Sequence, residues 1–359
     1  MVAKVHDRRE FITFLERVLE ELYDFHCNLN TNTDASAVLV PTDADLWAEW
    51  RNGHAIITDV RGDSPASRAK IQPGAEVVAF NGVPIRKAVE ERLGNCLRIR
   101  DVAAENWALQ TLLAGRHNEP QRHIDLRLGT EQTTVTLDSA HREFSNLVEY
   151  RTIGKDNDIG YIRPNNSLGD TQLIAEFDKA LASLKETKGL VLDLRETPSG
   201  GNTVVARALM GRFLDREMFY QKHSIPAEER AYGVKRSWVE IVSPRGPFRY
   251  EHPVVVLVNH WTGSMGEGIA LGMDATKRAQ VVGVEMARLL GATDGLMLPN
   301  TQIMVHFATE KLYHPNGTPR ERFVPGVYVN LLKDTAALGD DPILVTGMKT
   351  LREQIKPTR

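Results

Sequence analysis

The sequence predicts an α/β protein whose largely parallel sheet carries the chemistry, preceded by a smaller β-rich module. Three observations lead there. Val254-Val255-Val256-Leu257-Val258 is an unbroken run of apolar β-formers, the pattern of a strand buried on both faces. Strand-like runs alternate with helical periodicity between residues 159 and 283. Residues 45–139 instead show short strands and tight-turn signals such as Asn81-Gly82.

The elements follow in order. Phe11, Ile12, Phe14, Leu15, Val18, Leu19 and Leu22 recur at three- and four-residue intervals, an amphipathic helix over residues 9–23 that breaks at Phe25-His26-Cys27-Asn28. Gly53 opens a strand over 54–60, and Ser64-Pro65-Ala66 starts a short helix. Strands at 76–80, 123–128 and 133–137 complete the module. Beyond it come a strand at 159–162, a helix at 171–184, a strand at 189–195, a loop at 198–202 and a helix at 203–213. The strand before Ser264, the helix after it and a strand at 280–283 follow. The organisation is 1–44, an N-terminal helical segment; 45–139, the β-rich module; and 140–359, the α/β core.

At 359 residues the chain can bury more than one core. It is 42% hydrophobic and 25% charged with a net charge of −3, which gives no reason to expect nucleic acid or an anionic membrane surface as partner. Cys27 and Cys96 are too few for a disulfide framework, and no Cys/His/carboxylate cluster has ligand spacing, so neither metal nor organic cofactor is expected. No apolar run reaches the ~18 residues of a membrane span. The first seven residues lack the apolar core of a signal peptide.

Chemistry concentrates around Ser264. A serine between a strand and a helix usually only caps the helix. Here the chain also supplies the other parts that a nucleophile needs. The loop Ser199-Gly200-Gly201 follows another buried strand, so Gly200 or Gly201 would offer a backbone N–H beside that of Met265 as an oxyanion hole. Glu267, one helical turn on, reads as a buried structural partner, with orientation of the base as its alternative. Among the histidines, His260 is expected to point away from the hydroxyl. His314, in the turn Tyr313-His314-Pro315-Asn316-Gly317, is expected to line a substrate cleft.

Two resemblances add to this. The order of Gly53, Ile56, Ser64-Pro65-Ala66, Ile71, Pro73-Gly74 and Asn81-Gly82 resembles the PDZ domains of bacterial proteases, with Ala75 where those usually have Asp. The segments Gly160-Tyr161-Ile162, Gly189-Leu190-Val191-Leu192-Asp193-Leu194-Arg195, Pro198-Ser199-Gly200-Gly201-Asn202, Val254–Gly268 and Val281-Val282-Gly283 resemble the core of the carboxy-terminal processing (tail-specific) proteases. That resemblance implies a ClpP/crotonase-like α/β core with an inserted PDZ-like domain, a serine peptidase acting on a peptide or protein, and room for a homo-oligomer. It also slightly favours an extracytoplasmic location.

One branch of the family uses a lysine about two dozen residues after the serine. Here that stretch, Val282-Gly283-Val284-Glu285-Met286-Ala287-Arg288-Leu289-Leu290-Gly291, has none, and Arg288 cannot act as a base. The chain resembles the other, tricorn-core-like branch. This implies His26 as the base and Glu321 as the residue that orients the site, although Phe25 stands where that branch has a serine. The PDZ resemblance implies that Gly53 and His54 begin the edge that receives an extended chain, along residues 54–60, with Arg51 assisting a carboxylate. Two other readings stay open: a binding protein that has kept the fold without catalysis, and a serine hydrolase or acyltransferase for non-peptide substrates.

Overall fold

The computed structural model describes residues 5–94, 96, 101–333 and 341–355. The chain divides into two units, one of residues 1–142 with 293–308 and one of residues 143–292 with 309–359. The N-terminal helix and the β-rich module lie in the first.

In that unit the helix Arg8–Glu20 is capped by Asp7, whose carboxylate accepts from the Glu10 N–H at 2.8 Å. It stops short of the sequence expectation because Tyr23 takes φ +49° and turns its ring edge-on to Trp107. The antiparallel sheet runs in the order Leu46–Arg51, His54–Val60, Glu76–Phe80, Gln121–Leu128, Glu131–Asp138, with Val83–Pro84 folded back on Glu76–Phe80. The turn at Asn81-Gly82 forms as expected, both residues at positive φ.

The structure corrects one assignment. His54–Val60 is not an edge; it lies between Leu46–Arg51 and Glu76–Phe80. The edge beside it is Leu46–Arg51, whose sequence Leu-Trp-Ala-Glu-Trp-Arg lacks the polar alternation of an open edge because a helix covers it. That helix, Val102–Ala114, buries Ala104, Trp107, Ala108, Leu109 and Leu113. It is apolar almost all round, so no amphipathic stripe betrayed it.

A buried ion pair ties the unit together. Arg122 donates to both Asp45 oxygens at 2.7 and 3.2 Å, and to the carbonyls of Leu113 and Asp138. Asp45 also accepts from the Ala66 N–H at 3.0 Å. The pair thus pins two helix ends and the sheet's last strand.

In the second unit the sheet order is Val327–Tyr328, Gln280–Gly283, Val254–Val258, Gly189–Asp193, Ile159–Pro164, Val148–Ile153. Every pairing is parallel except the last. Side chains alternate faces, as a period of two requires. Leu190, Leu192, Val254, Val256 and Val258 face the helices Leu173–Ser183, Thr203–Met210 and Met265–Ala275. Val191, Val255 and Leu257 face Ile343 and Leu351 of the helix Pro342–Gln354. Both central strands are wholly buried, as their composition predicts. A second antiparallel layer, Met218–Ser224 with Ser237–Val242 and Lys311–Tyr313, was not read from the sequence. Among the described residues, no helix is long and apolar enough to cross a membrane.

Removing one partner of the Asp45–Arg122 pair leaves the other charged and buried. Arg122→Ala should cost ~3–5 kcal/mol in urea unfolding of the full chain, and Arg122→Met with Asp45→Leu markedly less. Equal losses in the two variants would show that the charge pairing does not matter.

Candidate active site

The strand Val254–Val258 delivers the chain into a compact turn. Asn259 Oδ1 accepts from the Trp261 N–H, the Thr262 hydroxyl donates to Leu194 O at 3.1 Å, and Thr262 forms a parallel bridge with Thr197. Gly263 then passes so close to the Pro198 carbonyl that a Cβ would stand 2.3 Å from its oxygen. Two strand ends are thereby stitched together at the sheet's C-terminal edge, where α/β sheets place their sites.

Ser264 follows with φ +47° and ψ −107°, a conformation costing ~1–3 kcal/mol for a residue with a side chain. A buried ion pair holds it there. Glu267, fully inaccessible, accepts from the Ser264 N–H at 2.9 Å and the Arg288 N–H at 2.9 Å. Arg320, 2% exposed, donates to Ser264 O at 3.2 Å, Leu289 O at 3.0 Å and Gly291 O at 2.8 Å, and lies 3.7 Å from Glu267. Both backbone polar groups of Ser264 are therefore fixed, and so is the segment after Ala287. Burial pushes the Glu267 carboxyl up to about 7, against the pull of Arg320 and of the backbone N–H groups of Ser264, Arg288 and Leu289.

The glycine loop lies directly against the hydroxyl. Gly200 has φ +67°, and a Cβ on it would stand 2.4 Å from Ser264 Cβ and 2.9 Å from both Ser264 Oγ and Met265 N. Gly201 is glycine for a different reason: its Cβ would fall 2.1 Å from Leu168 O. The Gly200 N–H already donates to Thr197 O at 3.1 Å, which takes it out of the expected donor pair. Asn166 braces the loop by bonding the Ser199 hydroxyl and N–H, both at 2.9 Å, and Asn202 caps the next helix through the Val205 N–H. Met265 opens the nucleophile helix, where backbone N–H groups have no intrahelical partner.

The remaining candidates are distributed as follows. Glu321 sits beside Arg320 on the short 3₁₀ turn Arg320–Arg322, half-exposed and outside the buried pair. His314 is 6% exposed, stacked on Phe323 and 3.2 Å from Asp274; its ring packs the turn and has little surface to offer a substrate. His260 is also buried, edge-on to Trp261.

His26 belongs to the first unit. There Asp24 Oδ1 accepts from its N–H at 3.0 Å, Asn28 donates to its carbonyl, and its neighbour Phe25 packs on Trp47 and Trp107. Burial pushes the adjacent Cys27 thiol up to about 12, which keeps it protonated. Gly53 and His54 end the first hairpin. Arg86 donates to Gly53 O, and His54 lies 2.8 Å from Glu76. Among the described residues, no group of three or more His, Cys, Asp or Glu side chains could hold a metal.

A strained serine stands at a strand end, beside a glycine loop and a helix N-terminus, on a parallel α/β sheet, an arrangement suited to covalent catalysis by a hydroxyl. Comparison with known proteins agrees. Residues 158–328 match the model of peptidase family S41. The carboxy-terminal processing protease CtpA of Bacillus subtilis (strain 168) is 27% identical over 238 residues, covering 66% of this chain and 44% of CtpA. The chain thus spans less than half the length of that relative. Two solved structures share the fold. Mature CPAF has a TM-score of 0.60 at 16% identity, with 96% of this chain and 88% of CPAF covered. The photosystem II D1 C-terminal processing protease has a TM-score of 0.57 at 18% identity, with 95% and 86% covered.

Sequence reasoning missed Arg320. Its only signal was a charged residue beside the suspected Glu321, and nothing in Pro319-Arg320-Glu321-Arg322 distinguishes the buried charge from the exposed ones.

Two outcomes are expected of this site. Gly200→Ala should lower peptidase activity by at least ~100-fold with little change in melting temperature, because the methyl group displaces the hydroxyl; activity near that of the unsubstituted chain would contradict the geometry. The second concerns Glu267. An acid whose value is raised in the folded state binds its proton more tightly there. The resulting stabilisation is complete below the ordinary ~4.3 and is lost as pH rises through about 7. Urea unfolding at pH 5 and pH 8 should therefore show Glu267→Gln gaining ~1–3 kcal/mol on the unsubstituted chain at the higher pH. A gap independent of pH would be incompatible with a buried, raised carboxyl.

Proposed function

We propose that the chain is an endopeptidase that cleaves through an acyl-enzyme at Ser264, with His26 as general base. The observation that carries this reading is the Ser264 backbone, strained and held at both its N–H and its C=O, with Gly200 directly against the hydroxyl. The Glu267 bond to the Ser264 N–H is one half of a capping box, but the positive φ of Ser264 and the Arg320 bond to its carbonyl go beyond what a cap requires.

The chemistry would run as follows. Ser264 Oγ attacks the peptide carbonyl as His26 takes its proton. The oxyanion is received by the Met265 N–H together with the Gly201 N–H, since Gly200 is engaged elsewhere; each such donor is worth roughly 3 kcal/mol in the transition state. The tetrahedral intermediate collapses as His26 returns the proton to the leaving amine. A water, activated by the same histidine, then releases the acyl group. Glu321 orients the base.

Leu289 supports a histidine rather than a lysine base. In the stretch where the Ser/Lys branch carries its lysine, its apolar Cδ1 would stand 3.4 Å from a Cβ on Gly263. The name of CtpA points to carboxy-terminal segments of polypeptides as the substrate class. The antiparallel sheet with Val102–Ala114 along its edge supports reading residues 45–139 as PDZ-like.

A fluorophosphonate should label Ser264 and no other residue, whereas a binding protein on this fold would take no label. Ser264→Ala and His26→Ala should each lower hydrolysis by a similar large factor, since nucleophile and base act as one unit. Activity should climb with pH across neutrality as the base deprotonates. Because burial pushes the Glu267 carboxyl up to about 7, the assignment depends on which substitution removes that limb. It should survive in Glu267→Gln and vanish from the residual activity of His26→Gln; the reverse would transfer the limb to Glu267 and remove His26 as base.

A further inference from the structure

The edge strand Leu46–Arg51 of the first unit is already occupied. The two-residue turn Asn52-Gly53 makes Arg51 and His54 the hydrogen-bonded pair that closes the hairpin. The backbone groups of Trp50 and Ala48 consequently point outward, where an added strand would bond. Both residues are engaged by the helix Val102–Ala114. The Trp50 N–H donates to Asn106 Oδ1 at 2.8 Å, and Ala48 O accepts from Gln110 Nε2 at 2.7 Å.

The spacing explains why a helix can do this. Four residues along a helix advance ~6 Å, and two residues along a strand ~6.7 Å. Side chains at positions 106 and 110 therefore meet backbone groups at positions 50 and 48 in antiparallel order, one acceptor and one donor. The Ala48 end of the contact is dry, with Gln110 2% exposed and Ala48 fully buried, while Trp50 and Asn106 are half-buried. The helix is firmly seated: Asp101 caps it at 2.8 Å, and Trp107 packs against the rings of Tyr23 and Phe25.

We propose that Val102–Ala114 is a built-in occupant of this module's peptide-binding edge, with Asn106 and Gln110 supplying the acceptor and donor that an extended polypeptide would supply. A strand can add there only by displacing both amides, which leaves Gln110 buried without its bond. The closed edge also shares its packing with the His26 turn, because Trp107 lies beside Asn106 and stacks on Phe25. The inference rests on the PDZ-like reading of residues 45–139 and is independent of the catalytic assignment.

Amide hydrogen exchange on the full chain tests the contact without reference to catalysis. The Trp50 amide should exchange slowly, and Asn106→Ala should speed it at least ~10-fold while leaving Glu49 and Arg51 unchanged. Fast exchange in the unsubstituted chain, or no acceleration in the variant, would overturn the proposal. Binding provides the second measurement. A fluorescein-labelled octapeptide of alternating valine and threonine, as free acid and as C-terminal amide, is titrated by anisotropy into full-length Ser264→Ala. Both forms should bind alike. Adding Asn106→Ala and Gln110→Ala should make the acid form bind at least ~5-fold more tightly than the amide. Preference for the acid before the edge is opened, or none afterwards, would refute the proposal. If the opened chain does not fold, exchange in Asn106→Ala alone decides.

Discussion

The second unit depends on the fixation of one strained residue. Ser264 adopts a backbone conformation that side chains avoid, and a single buried ion pair holds both its polar groups in place. This geometry presents the hydroxyl to the glycine loop and leaves the Met265 N–H at the same corner. The cost of the strain and of burying Glu267 and Arg320 falls on the rest of the fold. Two fully buried parallel strands and their helices supply the packing that offsets it.

The first unit uses the same device. Asp45 and Arg122 are as deeply buried as Glu267 and Arg320, and they too bond loop and helix-end groups rather than each other alone. In both units a charged pair organises irregular backbone that apolar side chains could not satisfy, since exposed carbonyls and N–H groups need partners when water is excluded. The glycines work alongside these pairs. Gly200, Gly201 and Gly263 each lie where a methyl group would overlap neighbouring atoms, so the three close approaches around the nucleophile are steric requirements of separate contacts.

Much of this was legible in the sequence wherever a pattern is local. Val254–Val258 and Gly189–Asp193 announced themselves as buried strands, and Gln280–Gly283 and the Asn81-Gly82 turn fell where expected. Ser264 stood out because a strand, a turn and a helix meet there. What escaped depends on long-range partners. The helix Val102–Ala114 is buried on nearly all sides and shows no stripe, and the edge strand it covers therefore lacks the polar alternation that marks an open edge. Arg320 and Arg122 look like surface arginines until the fold closes over them. The turn position of His314 suggests a cleft, but the ring stacks on Phe323. The Gly200 N–H was expected to be free, yet a local turn bond to Thr197 claims it.

Covalent chemistry at Ser264 is the central requirement. Chemical quenching of the full chain during turnover of an activated peptide ester, followed by intact-mass and peptide-mass analysis, reads that directly. The expected result is a transient adduct equal in mass to the acyl fragment, confined to the peptide containing Ser264 and absent from Ser264→Ala. Turnover without any adduct, or an adduct on another residue, would contradict the account.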